Sequence, residues 1–284
     1  MGLVRLKSHR ALGDDNNERT NLPAPRPTCR DLCGRNGSFS PMIPPGIESK
    51  EIVTHHSRYR GYEDWKGWST LFCYSKDQSD YFRGETRDLS IKNADVLEIG
   101  FGSGDFLQWA IDEGARVAAT EINSISIEAA QERGIEVLPA NLESTSTIFY
   151  GRFDTIISFD VFEHLQADEI VRQLKSIQML LKPNGHLLLR FPNAQSPFGL
   201  APQFGDSTHC SFLSKSVIEQ MLHGTTFKIV RYGHPYRARG RGPARMMVRF
   251  VRNMLKDAIS ATLNAIYNTE MSYDPVLTIV MRKN

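Results

Sequence analysis

A short apolar strand, Asp95-Val-Leu-Glu-Ile99, runs straight into Gly100-Phe-Gly-Ser-Gly104. Three glycines at alternate positions suit a backbone that turns tightly and lets a ligand approach, because glycine adopts positive φ without steric penalty. The pattern is not the G-x-G-x-x-G of a dinucleotide loop. The third glycine comes one residue early, and an acid, Glu98, lies in the strand before the loop. A helix N-terminus behind such a loop would welcome pyrophosphate. A carboxylate there repels it and suits a ligand with an ammonium or sulfonium group.

Around this loop the sequence alternates apolar strands and amphipathic helices. Strands are expected at 95–99, 116–120, 136–138, 153–159, 185–190, 227–231 and 276–281. Helices are expected at 105–113, at 124–133 with Ser124 as cap, at 168–181 and after Ser214; Pro183-Asn-Gly185 reads as a turn. This order predicts an α/β protein: a Rossmann-like, doubly wound, mostly parallel seven-stranded sheet with helices on both faces. Right-handed crossovers then bring the strand C-termini to one edge, where ligands bind. A second acid, Glu121, ends the second strand, where a carboxylate can accept hydrogen bonds from both hydroxyls of a ribose.

The E-x-G-x-G-x-G run followed by Glu121 resembles the class I S-adenosylmethionine-dependent methyltransferases, from about Ala94 to Arg190 and more weakly beyond. The resemblance implies S-adenosylmethionine as cofactor. Gly100, Gly102 and Gly104 would underlie its methionine and ribose parts, and Glu98 would anchor the methionine end. Glu121 would hold the ribose with Ile122 against the adenine. Asn141, where the family often has Asp, and Leu142 would flank the adenine edge. Phe159 and Asp160 would face the methionine moiety.

The segment after the fourth strand bears on the acceptor. It reads Phe159-Asp-Val-Phe-Glu-His-Leu165, not the D/N-P-P-Y/F of base amino-methyltransferases, and it contains no nucleophilic cysteine. Glu163-His164 and the later Asp206-Ser-Thr-His209 resemble glycan and small-molecule O-methyltransferases, the ubiquinone-type group included. A hydroxyl acceptor benefits from a base that titrates near neutrality, so His209 and His164 are the candidates, with Asp206 orienting His209. The other reading makes His164 a loop-holding residue and His209 a staple to Asp206. No metal site is expected: Cys29 and Cys33 have no second pair, and free thiols in a reducing cytosol are the expected state of the four cysteines.

Residues 1–47, rich in Pro and charge, read as a disordered or loosely attached arm. Residues 48–93 read as an aromatic-rich helical cover, in which Tyr74, Tyr81 and Arg83 line the pocket or simply pack. Residues 94–284 read as the methyltransferase domain, with a basic helical insertion at about 237–270. No run reaches the roughly 18–20 apolar residues of a membrane span, and no apolar h-region follows Met1–Arg10. A protein that is cytoplasmic, or peripheral at the inner face of the membrane, is expected.

The 284 residues balance 34 Lys+Arg against 32 Asp+Glu. Nine of the basic residues fall between Lys228 and Lys256 with no acid among them, leaving a net of −7 elsewhere. That stretch packs on its own domain or a second subunit, lies on an anionic membrane, or binds a polyanion; nucleic acid is not the expected partner. The expected function is methylation of a sugar hydroxyl in surface polysaccharide or glycoconjugate synthesis, on a glycan or lipid-linked glycan acceptor. The alternatives are a small-molecule O-methyltransferase acting on a quinone precursor or secondary metabolite, and a non-catalytic cofactor-binding or membrane-docking partner.

Overall fold

A computed structural model describes residues 70–284. The arm at 1–47 and the first part of the expected cover, 48–69, lie outside the described residues. The strands are β1 (Asp95–Ile99), β2 (Arg116–Thr120), β3 (Glu136–Leu138), β4 (Phe153–Phe159), β5 (Leu181–Pro192), β6 (Phe227–Gly233) and β7 (Val276–Lys283). They form one sheet in the order β3-β2-β1-β4-β5-β7-β6. Pairing is parallel from β3 to β5, and β7 runs antiparallel between β5 and β6. Strand order reverses between β1 and β4. In such sheets the crevice outside the strand C-termini at that reversal receives the ligand.

The helices are α1 (Lys76–Glu85), α2 (Asp105–Asp112), α3 (Ser124–Glu132), α4 (Ala167–Leu180), α5 (Leu200–Phe204), α6 (Lys215–Met221) and α7 (Pro243–Tyr267). Period-two alternation divides the core. Leu187, Leu189 and Phe191 join Ile170, Leu174 and Ile177 of α4 on one face. Leu188 and Val280 face the other way, onto Phe106 and Trp109 of α2 and Phe82 of α1. The aromatic ring pairs in this second cluster, such as Phe82–Phe106 at 5.4 Å, are each worth about 0.5–1.5 kcal/mol beyond the area they bury.

Three local expectations are corrected. Asn123 caps α3 in place of Ser124, its side chain accepting from the Ser126 N–H. The Pro183–Gly185 turn is absorbed into β5, which begins at Leu181, breaks register opposite Phe153–Thr155, and holds Asn184 at φ 61°. Pairing with a neighbour, not local propensity, sets where that strand starts. Cys73 is disulfide-bonded, against the expectation of four thiols; spacing along a chain does not show which thiols meet in space.

The cover helix α1 starts at a capping box, Ser75 with Gln78, and ends on a fully buried acid. Glu85 accepts from the Tyr236 N–H at 2.7 Å, the Thr278 hydroxyl at 3.0 Å and the Arg231 guanidinium at 3.3 Å. Three donors meet the requirement that a buried charge be paired and hydrogen-bonded. Gly84 beside it has no room for a side chain: an added Cβ would lie 2.1 Å from the Tyr236 ring. No helix among the described residues is long and apolar enough to cross a membrane.

Candidate active site

The β1–α2 loop behaves as its glycines require. Gly100, Gly102 and Gly104 all have positive φ, at 65°, 55° and 76°. Side chains crowd two of them: an added Cβ would meet Val161 2.5 Å from Gly100, and the Phe72 ring 2.6 Å from Gly104. Phe72 therefore roofs the loop, anchored by its N–H on the Ser103 carbonyl at 2.7 Å. Val161 brings the segment after β4 into contact with the segment after β1.

Glu121 holds the loop from the neighbouring strand. One carboxylate oxygen accepts the Gly102 N–H at 2.8 Å, and the other accepts Ile122 and Asn123 N–H at 2.7 and 3.0 Å. Ile122 is exposed beside it. Glu98 is buried at the end of β1, and no donor among the described residues reaches its Oε2. Burial, reinforced by Glu121 and Asp105 and opposed by Arg190, pushes its carboxyl well above the usual range. The cleft thus gathers acids where a cation would relieve them.

At the end of β4, Asp160 adopts the left-handed conformation at φ 56°. A non-glycine residue there costs of order 1–3 kcal/mol and must be held by its surroundings. Arg190 of β5 holds it with two guanidinium hydrogen bonds, and the Asp160 N–H returns one to the Arg190 carbonyl at 2.9 Å. Arg190 also donates to the Tyr81 hydroxyl at 2.7 Å and lies 4.7 Å from the Phe159 ring centroid. Burial, opposed by Arg190, pushes the Tyr81 hydroxyl up to about 12, so it stays a phenol. Tyr81 thus belongs to this edge. Tyr74 and Arg83, its companions in the sequence reading, do not: they bind Asp112 and Glu113 at the far end of α2. Eight residues of helix place those acids about 12 Å from the loop.

Asn141 caps the short helical turn after β3, its side chain accepting from the Glu143 N–H. Leu142 is fully buried in the core. Its side chain packs inward, which leaves its backbone as the part placed to flank an adenine.

The two histidine motifs, far apart in sequence, are stitched together by backbone. Cys210 and Ser211 N–H both donate to the Glu163 carbonyl, at 2.9 and 3.0 Å, and the Ser211 hydroxyl donates to the Leu165 carbonyl. The His164 and His209 rings consequently meet edge to face, with centroids 4.6 Å apart. His209 Nδ1 donates to the Gln203 carbonyl at 3.0 Å; a carbonyl only accepts, so the neutral ring carries its lone pair on Nε2. That Nε2 lies 3.8 Å from an Asp206 oxygen and 3.9 Å from a Glu163 oxygen, all three side chains being nearly inaccessible. Thr208 gives its one proton to Asp206, so the His164 Nδ1 at 2.9 Å donates to the Thr208 oxygen. Asp206 therefore orients His164 through Thr208, whereas Gln203 orients His209. Glu163, His164 and His209 also bring potential ligand atoms within 4.8 Å of one another, a donor set that a divalent transition metal can use.

Sequence reasoning did not single out Arg190, Phe72, Thr208 or Gln203. An arginine at the end of a strand otherwise buried was the one available signal. The other three act through backbone geometry or proximity in space.

The chain matches the family model of a methyltransferase domain over residues 74–232, more than half its length. No curated protein matches it. Among solved structures, it is similar to a SAM-dependent methyltransferase from Archaeoglobus fulgidus, at 18% identity and TM-score 0.53, covering 79% of this chain and 99% of that one. It is likewise similar to the PH0226 protein from Pyrococcus horikoshii, at 15% identity and TM-score 0.51, covering 80% and 99%. A third is the [4+2]-cyclase SpnF, at 16% identity and TM-score 0.51, covering 85% and 98%. At these identities the likeness establishes the fold, and the cyclase illustrates that one fold hosts several chemistries.

Proposed function

The chain belongs to the methyltransferase-domain family, and on that premise we propose that it transfers a methyl group from S-adenosylmethionine to a hydroxyl of a sugar, on a glycan or glycoconjugate acceptor. The described residues fit that cofactor by their chemistry. An ammonium and a sulfonium answer the acids gathered at Glu98, Glu121 and Asp105, and the buried Glu98 oxygen has no other donor among the described residues. Glu121 offers an acceptor to ribose, exposed Ile122 an apolar surface for adenine, and the open glycine loop close backbone approach. When bound, the cofactor supplies a methyl group already activated on sulfur, so positioning accounts for much of the rate.

The protein's remaining task is to take the hydroxyl proton. The observation that carries the proposal is the His209 Nε2 lone pair set between the Glu163 and Asp206 carboxylates. A proton accepted there lies between two carboxylates at 3.8 and 3.9 Å, the placement general-base work on a hydroxyl asks for. Asp160 and Arg190 fix the end of β4 between this pair of motifs and the cofactor loop. The sugar acceptor is supported by the Glu163-His164 and Asp206-x-x-His209 resemblance.

Mass spectrometry of glycan and small-molecule pools incubated with enzyme and labelled cofactor tests the reading directly. A gain of one methyl on a sugar hydroxyl is expected; label only on a quinone precursor or another small molecule replaces the acceptor, and no label anywhere returns the chain to a non-catalytic binder. His209→Ala is expected to lower turnover by about 10²–10⁴-fold with cofactor affinity unchanged. Unaltered turnover refutes the base.

A further inference from the structure

Helix α7 is amphipathic in the inverted sense. It runs 25 residues, and none of them is buried. The side that faces the protein is largely polar: Arg249, Asn253, Ser260 and Asn264, spaced by four, seven and four, are half-buried, with Leu263 the one apolar residue beside them. They are tied down by polar bonds. Arg249 binds Asp77 at 2.9 Å and the Ala238 carbonyl at 3.1 Å, and Asn264 exchanges hydrogen bonds with the Met271 backbone. Lys256 reaches Asp274 at 3.3 Å, and Arg237 ties Asp257 to the same acid.

The opposite side carries Met247, Phe250, Val251, Met254, Leu255 and Ile266, which are 47–67% exposed. A continuous apolar stripe of this length on a surface helix marks an interaction site. Beside it, Arg245 and Arg252 are exposed, and no carboxylate among the described residues pairs with either. The one acid of the helix, Asp257, is already engaged by Arg237.

We propose that α7 lies flat on an anionic lipid surface, its apolar stripe in the acyl boundary and Arg245 and Arg252 at the phosphates. The charge pattern selects this occupant. A second copy of the same face would bring arginine to arginine with no free acid to receive them. A polyanion such as RNA would use the arginines but leave the aliphatic stripe in water. An anionic bilayer satisfies both sets at once, because the arginine stems lie along apolar surface while their heads stay at the interface. The inference does not depend on the acceptor proposed above.

Co-sedimentation of the full chain with vesicles of phosphatidylcholine alone, and of phosphatidylcholine mixed with phosphatidylglycerol, tests it. Binding to the mixed vesicles is expected, weakening with salt and falling roughly fivefold for each of Arg245→Ala and Arg252→Ala. The double variant Phe250→Ser, Met254→Ser is expected to abolish binding with an unchanged thermal midpoint, both side chains being solvent-exposed. No binding to either vesicle, equal binding to both, or retained binding by the serine variant overturns the proposal. So does a concentration-dependent dimer that the serine substitutions dissolve, which would assign the stripe to a second copy.

Discussion

Glu121→Gln is the most informative single change, because the structure limits what this carboxylate can offer. Two oxygens provide about four acceptor positions. Backbone N–H groups of Gly102, Ile122 and Asn123 take three of them, leaving one, on the oxygen that binds Gly102, for a ribose hydroxyl. One charge-assisted hydrogen bond is worth about 1.5–3 kcal/mol. Glutamine does not preserve it. If its oxygen keeps Ile122 and Asn123, its NH₂ confronts the Gly102 N–H, donor against donor. The expected effect is a dissociation constant for S-adenosylmethionine raised roughly 10- to 150-fold, read by titration calorimetry, with the same loss for S-adenosylhomocysteine because the ribose is common to both. Of the 2′-deoxy and 3′-deoxy analogues of the latter, the one lacking the bonded hydroxyl is expected to bind wild type and variant within a factor of about three, and the other to show the full loss. Affinity within twofold of wild type in a folded variant, or the full loss with both deoxy analogues, refutes the assignment.

Glu98 predicts a proton linkage. Its carboxyl is held above the usual range by burial and the neighbouring acids; a cationic ligand favours the carboxylate, so binding releases a proton and tightens as pH rises through the raised value. Calorimetry in buffers of different ionisation enthalpy measures the release, and Glu98→Gln removes it. Asp95 carries the opposite sign: hydrogen bonding to Arg116 holds its carboxyl down at about 2, so its stabilisation is complete above about pH 4 and is lost as pH falls toward 2. Acid titration of Asp95→Asn is expected to show a flatter limb. Gly84→Ala drives a methyl into the Tyr236 ring and is expected to lower stability by about 2–4 kcal/mol in urea unfolding. Turnover is expected to survive a chelator such as EDTA; activity lost to it and restored by a divalent cation reassigns Glu163, His164 and His209 as metal ligands.

The strands at 95–99, 116–120, 136–138 and 153–159 are legible to the residue, because each carries a short apolar stretch (Val96-Leu97, Val117–Ala119, Val137-Leu138, Ile156-Ile157) with a glycine, a proline or an acid just past its end. The glycine loop is legible for a related reason: three positive-φ positions leave little choice of residue. What the sequence hides is tertiary. The phenol of Tyr81 and the guanidinium of Arg190 are separated by 109 positions, and nothing local marks them as neighbours. His209 looks bound to Asp206 by its i,i+3 spacing, yet the Gln203 carbonyl takes its Nδ1 proton. The basic stretch reads as a helix with an apolar face, and periodicity does not say that this face points outward.

The clasp at Glu85 has a consequence for how the protein is made. Its carboxylate sits at the end of the cover helix, and one of its donors, Thr278, comes 193 positions later on β7. A chain emerging from the ribosome produces the glycine loop, both acids of the cleft and the histidine pair well before that strand exists. Until β7 slots between β5 and β6, Glu85 lacks its Thr278 donor and β6, which carries Arg231, has no strand to pair with, and closing so long a loop is slow. Full burial of Glu85 thereby waits on β7: a polypeptide truncated before that strand has every residue of the crevice and an incomplete clasp under its cover.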